Sequence, residues 1–309
     1  MEIVPYKEMH DYEGFFHLLW LVFPNSFSLS PIKLKKWIES DSRIKDGIIG
    51  FCMLENEKIV GFVGVMDLIT RNLSREIKPV GGMWGVATLP SHARKGIATS
   101  LFEKAHEYLR SRNYRFAFLS TNNTTIAHSF YRRLGYSDAT VFPSAFKLIK
   151  DKSIRNMEEK TNNVDWRKIS EIYEAFSQCK TGFVVRNEKY YRDLIDCGRL
   201  TNETIISNEN GYLILKKEGQ SLQIRENIAL KTEKSSKLVQ RIERMPVSII
   251  YDSLLLDENV LRIYQKMGYV IQNKSYGLLM AKSFSDNLTF QQEYGRNFYM
   301  TGCDNIVIP

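Results

Sequence analysis

Residues 86–99 have the sequence VATLPSHARKGIAT, which joins the end of a β-rich run to the start of a helical pattern. A β-rich run ends before Pro90, and two basic residues, Arg94 and Lys95, precede an amphipathic segment from Gly96 to Arg112. Apolar residues recur in that segment at helical spacing. Because the first turn of a helix has unpaired amide groups and the positive end of the helix dipole, the stretch predicts an anion site.

The small residues Gly96 and Ala98 let the backbone approach a bulky phosphate group, and the two basic side chains add positive charge. A diphosphate fits such a site best. A helix start that binds only water is the alternative. The groups predicted to bind the anion are the backbone amides of Arg94, Lys95, Gly96, Ile97, Ala98 and Thr99.

The composition limits the classes of protein that remain open. The chain has 309 residues, which corresponds to about two domains. Its hydrophobic content of 43% suits buried cores, and a net charge of +8 is too dilute to predict nucleic-acid binding. The four cysteines form no CxxC or Cys–His spacing, so neither a metal site nor a disulfide framework is expected.

The N-terminus lacks the basic and apolar regions of a secretory signal, and the longest apolar stretch is too short to cross a membrane. We therefore expect a cytoplasmic protein that binds neither membranes nor nucleic acid. The sequence leaves its oligomeric state open, including a homo-oligomer.

The first half alternates strands and helices, which favours an α/β (α+β) fold with a mixed central sheet flanked by helices. We expect residues 145–149 to complete the set of strands in this half. The predicted strands are 47–54 and 59–69, joined as a hairpin, 79–88, 115–120 and 145–149, and the predicted helices are 10–23, 30–38, 96–112 and 125–134.

The second half contains an echo of the first. The segment FYRRLGY at 130–136 and the segment IYQKMGY at 263–269 share a pattern, and each follows a short β-rich run and a polar loop. A shared type of helix end is one explanation, and a duplicated domain is the explanation that the matching order of elements favours. We therefore predict a first domain over 1–150, a linker over 151–164, a second domain over 165–283 and a C-terminal tail over 284–309.

Two motifs resemble those of the GNAT (GCN5-related) family of N-acetyltransferases. Residues 93–98 are similar to the family's motif A, Arg/Gln-x-x-Gly-x-Gly/Ala, with Gly96 and Ala98 at the small-residue positions and Ala93 in place of the first basic residue. Residues 127–136 are similar to its motif B, in which an Asn precedes Ala-x-x-x-Tyr-x-x-x-Gly-Phe/Tyr. Here that Asn position is Thr124, with Asn123 one residue earlier.

The second half resembles a degenerate copy of the same fold. Residues 231–237 follow its corresponding strand and have no Gly-x-Gly/Ala pattern, so we expect no cofactor there. Tandem GNAT folds of this kind are similar to the Eis-type acetyltransferases, and the GGMWGVA strand at 81–87 resembles that group too. About 27 residues follow Lys282, so we expect the sterol-carrier-like domain of Eis-type chains to be missing.

The resemblance implies a reaction and the residues for it. It implies that a primary amine of a small molecule, amino sugar or peptide attacks the thioester of acetyl-CoA directly, without a metal. The amides of Val86, Ala87 and Thr88 are expected to bind the pantetheine arm, with Val86 polarising the thioester carbonyl. The hydroxyl of Tyr131, at the motif B tyrosine, is expected to protonate or hydrogen-bond the departing thiolate.

The resemblance leaves the general base open. Many GNAT enzymes use a Glu near the position of Gly82, and no carboxylate lies between Val80 and Pro90. The remaining routes are Glu13 or Asp46, the second domain, the carboxylate of Pro309, a water relay or a neutral amine. The histidines at 92 and 128 are expected to be exposed. Aromatic residues that either line an acceptor pocket or belong to the core are Phe15, Phe16, Trp20, Phe23 and Phe27.

Two other functions stay open. Ala93 and the missing strand carboxylate are compatible with a non-catalytic acyl-CoA-binding or regulatory module. A tandem aminoacyltransferase of the cell-wall peptide type uses charged tRNA and lacks motif A, so the Lys95–Ala98 segment argues against it.

Overall fold

A computed structural model describes residues 1–23, 30–150, 164–186, 189–196, 200, 205–252, 257–272 and 278–303. The strands are β1 (Glu2–Pro5), β2 (Gly50–Glu55), β3 (Lys58–Arg71), β4 (Ile77–Thr88), β5 (Phe116–Thr121), β6 (Ser137–Val141), β7 (Ser144–Leu148), β8 (Thr181–Gly182), β9 (Ile205–Asn208), β10 (Gly211–Glu218), β11 (Ser221–Ala229), β12 (Ile249–Asp252), β13 (Val270–Gln272), β14 (Leu278–Ser283) and β15 (Phe298–Tyr299). The helices are α1 (Tyr12–Val22), α2 (Pro31–Ser40), α3 (Ile97–Ser111), α4 (Ile126–Arg133), α5 (Trp166–Ser177), α6 (Tyr190–Asp196), α7 (Thr232–Ile242), α8 (Glu258–Lys266) and α9 (Phe290–Tyr294).

The fold is mixed α/β, with two mixed sheets flanked by helices, as the sequence predicts. The first sheet has the order β1-β2-β3-β4-β5-β14-β6, in which only β4 and β5 are parallel neighbours. The predicted hairpin of β2 and β3 is confirmed, and Asn56 and Glu57 both have positive φ in its two-residue turn. Helices α1 and α2 pack on one face of this sheet and α3 packs on the other.

Glycines in the central strands let α3 lie close to the sheet. A Cβ on Gly61 would meet the side chain of Ile97 at 2.5 Å, and one on Gly81 would meet that of Leu109 at the same distance. Both helix residues are fully buried in the core on this face. The glycines therefore fix the distance between the sheet and the helix whose N-terminus carries the predicted anion site.

The second sheet has the order β9-β10-β11-β12-β7-β13. Its six strands repeat the order and the directions of β2-β3-β4-β5-β14-β6, including a single parallel pair, β11 with β12. Helix α8, which carries the second copy of the sequence echo, follows β12 as α4 follows β5.

The two sheets exchange one strand each. Strand β14 lies between β5 and β6 in the first sheet, and β7 lies between β12 and β13 in the second. The prediction that residues 145–149 complete the strands of the first half is therefore wrong. The physical reason is that β7 and β14 are similar short β-rich runs, and hydrophobic pattern specifies a strand without specifying its partner.

The predicted boundaries at 150 and 283 do not separate the two sheets. Strand β7 precedes the first boundary but lies in the second sheet, and β14 precedes the second boundary but lies in the first sheet. Of the predicted linker, residues 151–163 lie outside the described part of the chain. The division into domains stays a prediction.

The C-terminal segment packs against the first sheet. Its helix α9 contributes Phe290 and Tyr294 to the core beneath α1 and α2, and β15 contributes Phe298. Strand β15 pairs with β8, which pairs with the end of β3. Residues 304–309, including Pro309, lie outside the described residues.

None of the helices that the structure describes is both long enough and apolar enough to cross a membrane.

The contact between Gly64 and Trp84 gives a test of the first core. The indole of Trp84 lies over Gly64 and makes edge-to-face contacts with Trp37 and Phe62, at 5.1 Å between ring centroids in each case. Gly64→Ala is expected to lower the free energy of unfolding by about 1–3 kcal/mol, because the new methyl group overlaps the ring. Urea unfolding measures the change. In a Trp84→Leu background the same substitution should cost less, and equal costs in both backgrounds would contradict this assignment.

Candidate active site

The candidate site lies where β4 and β5 separate. These parallel strands pair only at Gly81 with Ala117 and at Gly82 with Phe118. Beyond these pairs β4 continues for six residues along β3, while β5 continues along β14. An opening between the two strands is therefore present at their carboxyl ends, where α3 and α4 begin.

A β-bulge shapes the β4 side of the opening. Two residues, Gly85 and Val86, lie opposite one residue of β3, and Gly85 has φ +61°. After the bulge the amide of Leu89 bonds to the carbonyl of Val60 on β3. Because successive strand amides point to opposite edges, the amides of Val86 and Thr88 point away from β3 and toward the opening.

The loop from β4 to α3 has an alternating backbone conformation. The φ angle is −60° at Ala93, +63° at Arg94 and +79° at Gly96, with Lys95 outside the positive region. Alternation of this kind turns successive amides toward one side and forms a concave anion site. Arg94 and Lys95 are exposed, and Ala93, at the first basic position of the motif, is exposed too.

The amides of residues 94–99 have no protein acceptor among the described residues. The first backbone bond of α3 runs from Ser100 to Gly96, and Gly96 caps the helix without a side-chain acceptor. A Cβ on Gly96 would meet no atom within 4 Å, so the space above the loop is open. Six consecutive donors beside open space suit an anionic ligand such as a diphosphate.

The histidines at the two motifs are not exposed, which corrects the sequence prediction. Each has only 14% of its side chain exposed and bonds to a carboxylate, His92 to Glu55 at 2.9 Å and His128 to Asp138 at 2.8 Å. The hydrogen bond from His92 lowers the pKa of Glu55. The carboxylates lie on other elements, β2 and β6, and therefore leave no local signal in the sequence. The first pair holds the loop against the β2–β3 hairpin.

Tyr131 lies between α3 and α4, with its ring 5.7 Å from that of Phe102 and 5.5 Å from that of Phe130. The residue is 8% exposed, and its hydroxyl has no hydrogen-bond partner in the described structure. Burial raises the pKa of Tyr131 to about 12, so the phenol is protonated at neutral pH.

The loop between β5 and α4 is organised by a residue that the motif comparison missed. The side chain of Asn122 accepts hydrogen bonds from the amide and the hydroxyl of Thr124, and its carbonyl accepts one from Thr125. Asn123 and Thr124 are both exposed. An Asn directly after a strand is a general signal for such a turn.

The position of Gly82 has no room for the carboxylate that many GNAT enzymes have nearby. A Cβ there would lie 2.6–2.7 Å from the side chains of Leu68 and Met66. Asp46 precedes β2, at the end of the sheet opposite the opening. Glu13 is exposed in the first turn of α1. The cap of this helix, Asp11, accepts a hydrogen bond from the amide of Ile59 at the start of β3, which is the end of the sheet where the opening lies.

The aromatic residues of α1 and the segment after it divide between core and surface. Phe15 is buried, Phe16 and Phe23 are partly buried against the same core, and Trp20 is 50% exposed. Phe27 lies outside the described residues. Among the described residues, no group of three His, Cys, Asp or Glu side chains is arranged to hold a metal ion.

A family model matches part of the first half of the chain. Residues 5–139 match the model of the acetyltransferase (GNAT) domain, and this range includes β2 to β5, the start of β6 and both motifs. No curated protein sequence matches the chain.

Solved structures with the same fold extend over both sheets. A probable N-acyltransferase from Enterococcus faecalis is 14% identical, with a TM-score of 0.64 over 91% of this chain and 72% of that one. A GCN5-related N-acetyltransferase from Anabaena variabilis is 16% identical, with a TM-score of 0.63 over 91% and 72%. Eis1 from Mycobacterium abscessus is 16% identical, with a TM-score of 0.60 over 90% and 73%. At these identities the likeness shows the fold.

A buried histidine beside the site makes stability depend on pH. His106 of α3 shares a 2.9 Å hydrogen bond with Tyr136, and burial, together with Lys282 and Arg110, lowers its pKa to about 3. The unfolded pKa is about 6.5, so between these values the unfolded chain binds more protons than the folded one. This contribution to stability is complete above pH 6.5 and falls as the pH drops, by at most about 1.4 kcal/mol per pH unit.

We expect His106→Gln to flatten the decrease in the free energy of unfolding between pH 6.5 and 4. Urea unfolding at several pH values measures it, with His10→Gln, at an exposed histidine, as the control. Identical pH profiles for wild type and His106→Gln would show that this histidine is not the source of the dependence.

Proposed function

We propose that the protein is an N-acyltransferase that transfers an acetyl group from acetyl-CoA to a primary amine of a small molecule, amino sugar or peptide. The observation that carries this proposal is the separation of β4 from β5 after Gly82, followed along the chain by the unpaired amides of residues 94–99. Tyr131 belongs to the core cluster that α3 forms on this sheet. Acetyl-CoA supplies the acetyl group as an activated thioester. The match of residues 5–139 to the GNAT domain supports the reaction class.

The backbone of the first half provides the proposed binding groups. The amides of residues 94–99 bind the diphosphate, and the side chains of Arg94 and Lys95 add positive charge at an exposed position. The amides of Val86 and Thr88 bind the pantetheine arm as a partner strand would, with Ala87 between them paired to β3. The Val86 amide also stabilises the negative charge that develops on the thioester oxygen.

Tyr131 acts on the departing sulfur as a hydrogen-bond donor. A thiol has a pKa of about 8.5, so proton transfer from a phenol with a pKa of about 12 is uphill by about 5 kcal/mol. Full transfer is therefore less favourable than donation of a hydrogen bond to the developing thiolate. The hydroxyl of Tyr131 has no hydrogen-bond partner among the described residues and stays protonated at neutral pH, so it is suited to that donation.

The attacking amine must lose a proton, and Glu13 is the candidate base for it. Among the described carboxylates proposed from the sequence, Glu13 lies at the same end of the sheet as the opening. A water relay and a neutral amine are the routes that need no side chain. The crowding around Gly82 supports a route other than a strand carboxylate.

We propose that acetyl-CoA binds only to the first half of a tandem GNAT arrangement. The connection from β11 to α7 has two residues, 230 and 231, whereas the one from β4 to α3 has eight, 89–96. The hydroxyl of Tyr264, the echo of Tyr131, is bonded to Asn227 and Asp252. The C-terminal segment lies against β11, with the amide of Gly302 bonded to the carbonyl of the bulge residue Arg225.

A non-catalytic acyl-CoA-binding module is the second candidate. The absence of a carboxylate on β4 beside the opening, together with Ala93 at the first basic position, favours it. The two candidates differ in whether the wild-type protein turns over acetyl-CoA with any amine. The cytoplasmic location and the oligomeric state stay predictions.

Gly96 and Gly268 form a matched pair for testing the binding site. They have φ angles of +79° and +78°, and a Cβ on either would meet no atom within 4 Å. Alanine at each position should cost about 1 kcal/mol of stability because of the positive φ. Only Gly96→Ala should weaken acetyl-CoA binding, by at least roughly tenfold, because its methyl group lies where the diphosphate approaches. Calorimetric titration measures both, and equal affinities would contradict the site.

Tyr131 and Tyr264 form a matched pair for testing the chemistry. We expect Tyr131→Phe to lower kcat roughly 100-fold with little change in acetyl-CoA affinity, because one donor to a developing charge is lost. Tyr264→Phe should lower stability, since it removes buried hydrogen bonds, and leave kcat nearly unchanged. Wild-type turnover that survives Tyr131→Phe would exclude this role for Tyr131. No turnover in the wild type with a panel of amines would favour the second candidate.

A further inference from the structure

Each exchanged strand carries a lysine at the same register position. In the second sheet Ala145 of β7 lies opposite Ile271, and in the first sheet Met280 of β14 lies opposite Asp138. Lys147 lies two residues after Ala145, and Lys282 lies two residues after Met280. Each lysine therefore lies on the same face of its strand as the earlier residue.

Both lysines contact the end of the helix that precedes the edge strand of their sheet. The ammonium of Lys282 donates to the carbonyl of Leu134, the last residue before the glycine that ends α4. The ammonium of Lys147 donates to the carbonyl of Met267 at the end of α8, at 2.6 Å. A cation at this place satisfies a carbonyl that has no helical partner and opposes the negative end of the helix dipole.

The two lysines differ in their other partners. Lys147 also forms an ion pair with Glu243, at 2.8 Å. Among the described residues Lys282 has no carboxylate partner, and burial together with Arg110 lowers its pKa. The hydrogen bond to the Leu134 carbonyl is therefore the polar contact that Lys282 makes at the end of α4.

Helix α4 packs its apolar side against the core on the α3 face and makes few polar contacts among the described residues. It has eight residues, and its N-cap, Thr125, makes no side-chain cap bond. The carbonyl of Tyr131 accepts the amides of Leu134 and Tyr136, so the backbone of Tyr131 belongs to the same helix end that Lys282 contacts. A second polar link from α4 to the sheet joins His128 to Asp138.

We propose that Lys282 is a positioning residue that the second half of the chain contributes to the candidate active site. Its ammonium holds the C-terminal end of α4 against β14 and thereby places the hydroxyl of Tyr131 at the opening between β4 and β5. Lys147 makes the equivalent contact in the second sheet, away from the opening. The catalytic part of this inference rests on the proposed function.

The experiment compares Lys282→Met with Lys147→Met, because the two substitutions remove equivalent contacts. Both should lower the urea midpoint of unfolding. Amide hydrogen exchange should increase in residues 126–135 for Lys282→Met and in residues 258–268 for Lys147→Met. With acetyl-CoA and an amine that the wild type uses, Lys282→Met should lower kcat roughly ten- to 100-fold with a smaller change in the KM for acetyl-CoA, and Lys147→Met should change kcat less than twofold.

Lys282→Arg is the rescue variant, since it keeps a cation and its donors, and it should restore protection of α4 and most of the lost kcat. The inference is overturned if Lys282→Met leaves exchange in residues 126–135 unchanged, or if both methionine variants lower kcat equally. A wild type without turnover would overturn the proposed function instead. The exchange data would then still decide whether Lys282 positions α4.

Discussion

The site depends on the short pairing of two parallel strands. Only Gly81 and Gly82 of β4 pair with β5, whereas β4 pairs with β3 on both sides of the bulge at Gly85. Strand amides that would otherwise be bonded to a neighbouring strand are left facing an opening, and unpaired backbone donors are suited to an extended polar ligand. The loop and helix that follow β4 continue this series of donors through residues 94–99. On the proposed function, the first half offers the ligand mainly backbone groups, so Ala93 at the first basic position of the motif is compatible with binding.

Strand exchange makes the two sheets interdependent. Without β14, strands β5 and β6 of the first sheet would have no partner on their facing edges, and without β7 the same would hold for β12 and β13. Each sheet therefore requires a strand that is distant in sequence. On the proposed function, this dependence gives the second half a role even if it binds no acetyl-CoA, because it completes the sheet on which the site is built.

Local sequence predicted where helices and strands occur better than it predicted which of them are in contact. The helix at 96–112 is α3, and the strand at 79–88 lies within β4, because each has a clear period and a clear end signal at Gly96 or Pro90. Gly85 within a strand was an available signal for the bulge. The hydrogen bonds of His92 and His128 to carboxylates had no such signal, since the carboxylates lie on separate elements, β2 and β6.

Local sequence was sufficient to predict the loop and helix start at 93–98, because a positive φ at Gly96 and unpaired first-turn amides follow from residues adjacent in the chain. It was also sufficient to predict that Tyr131 and Tyr264 occupy equivalent places in a repeated motif. Long-range packing sets which strand completes each sheet, where Lys282 and Lys147 lie, and how the C-terminal segment packs. These features depend on contacts between residues more than 100 positions apart, and the period and caps of a segment contain no information about such distant partners.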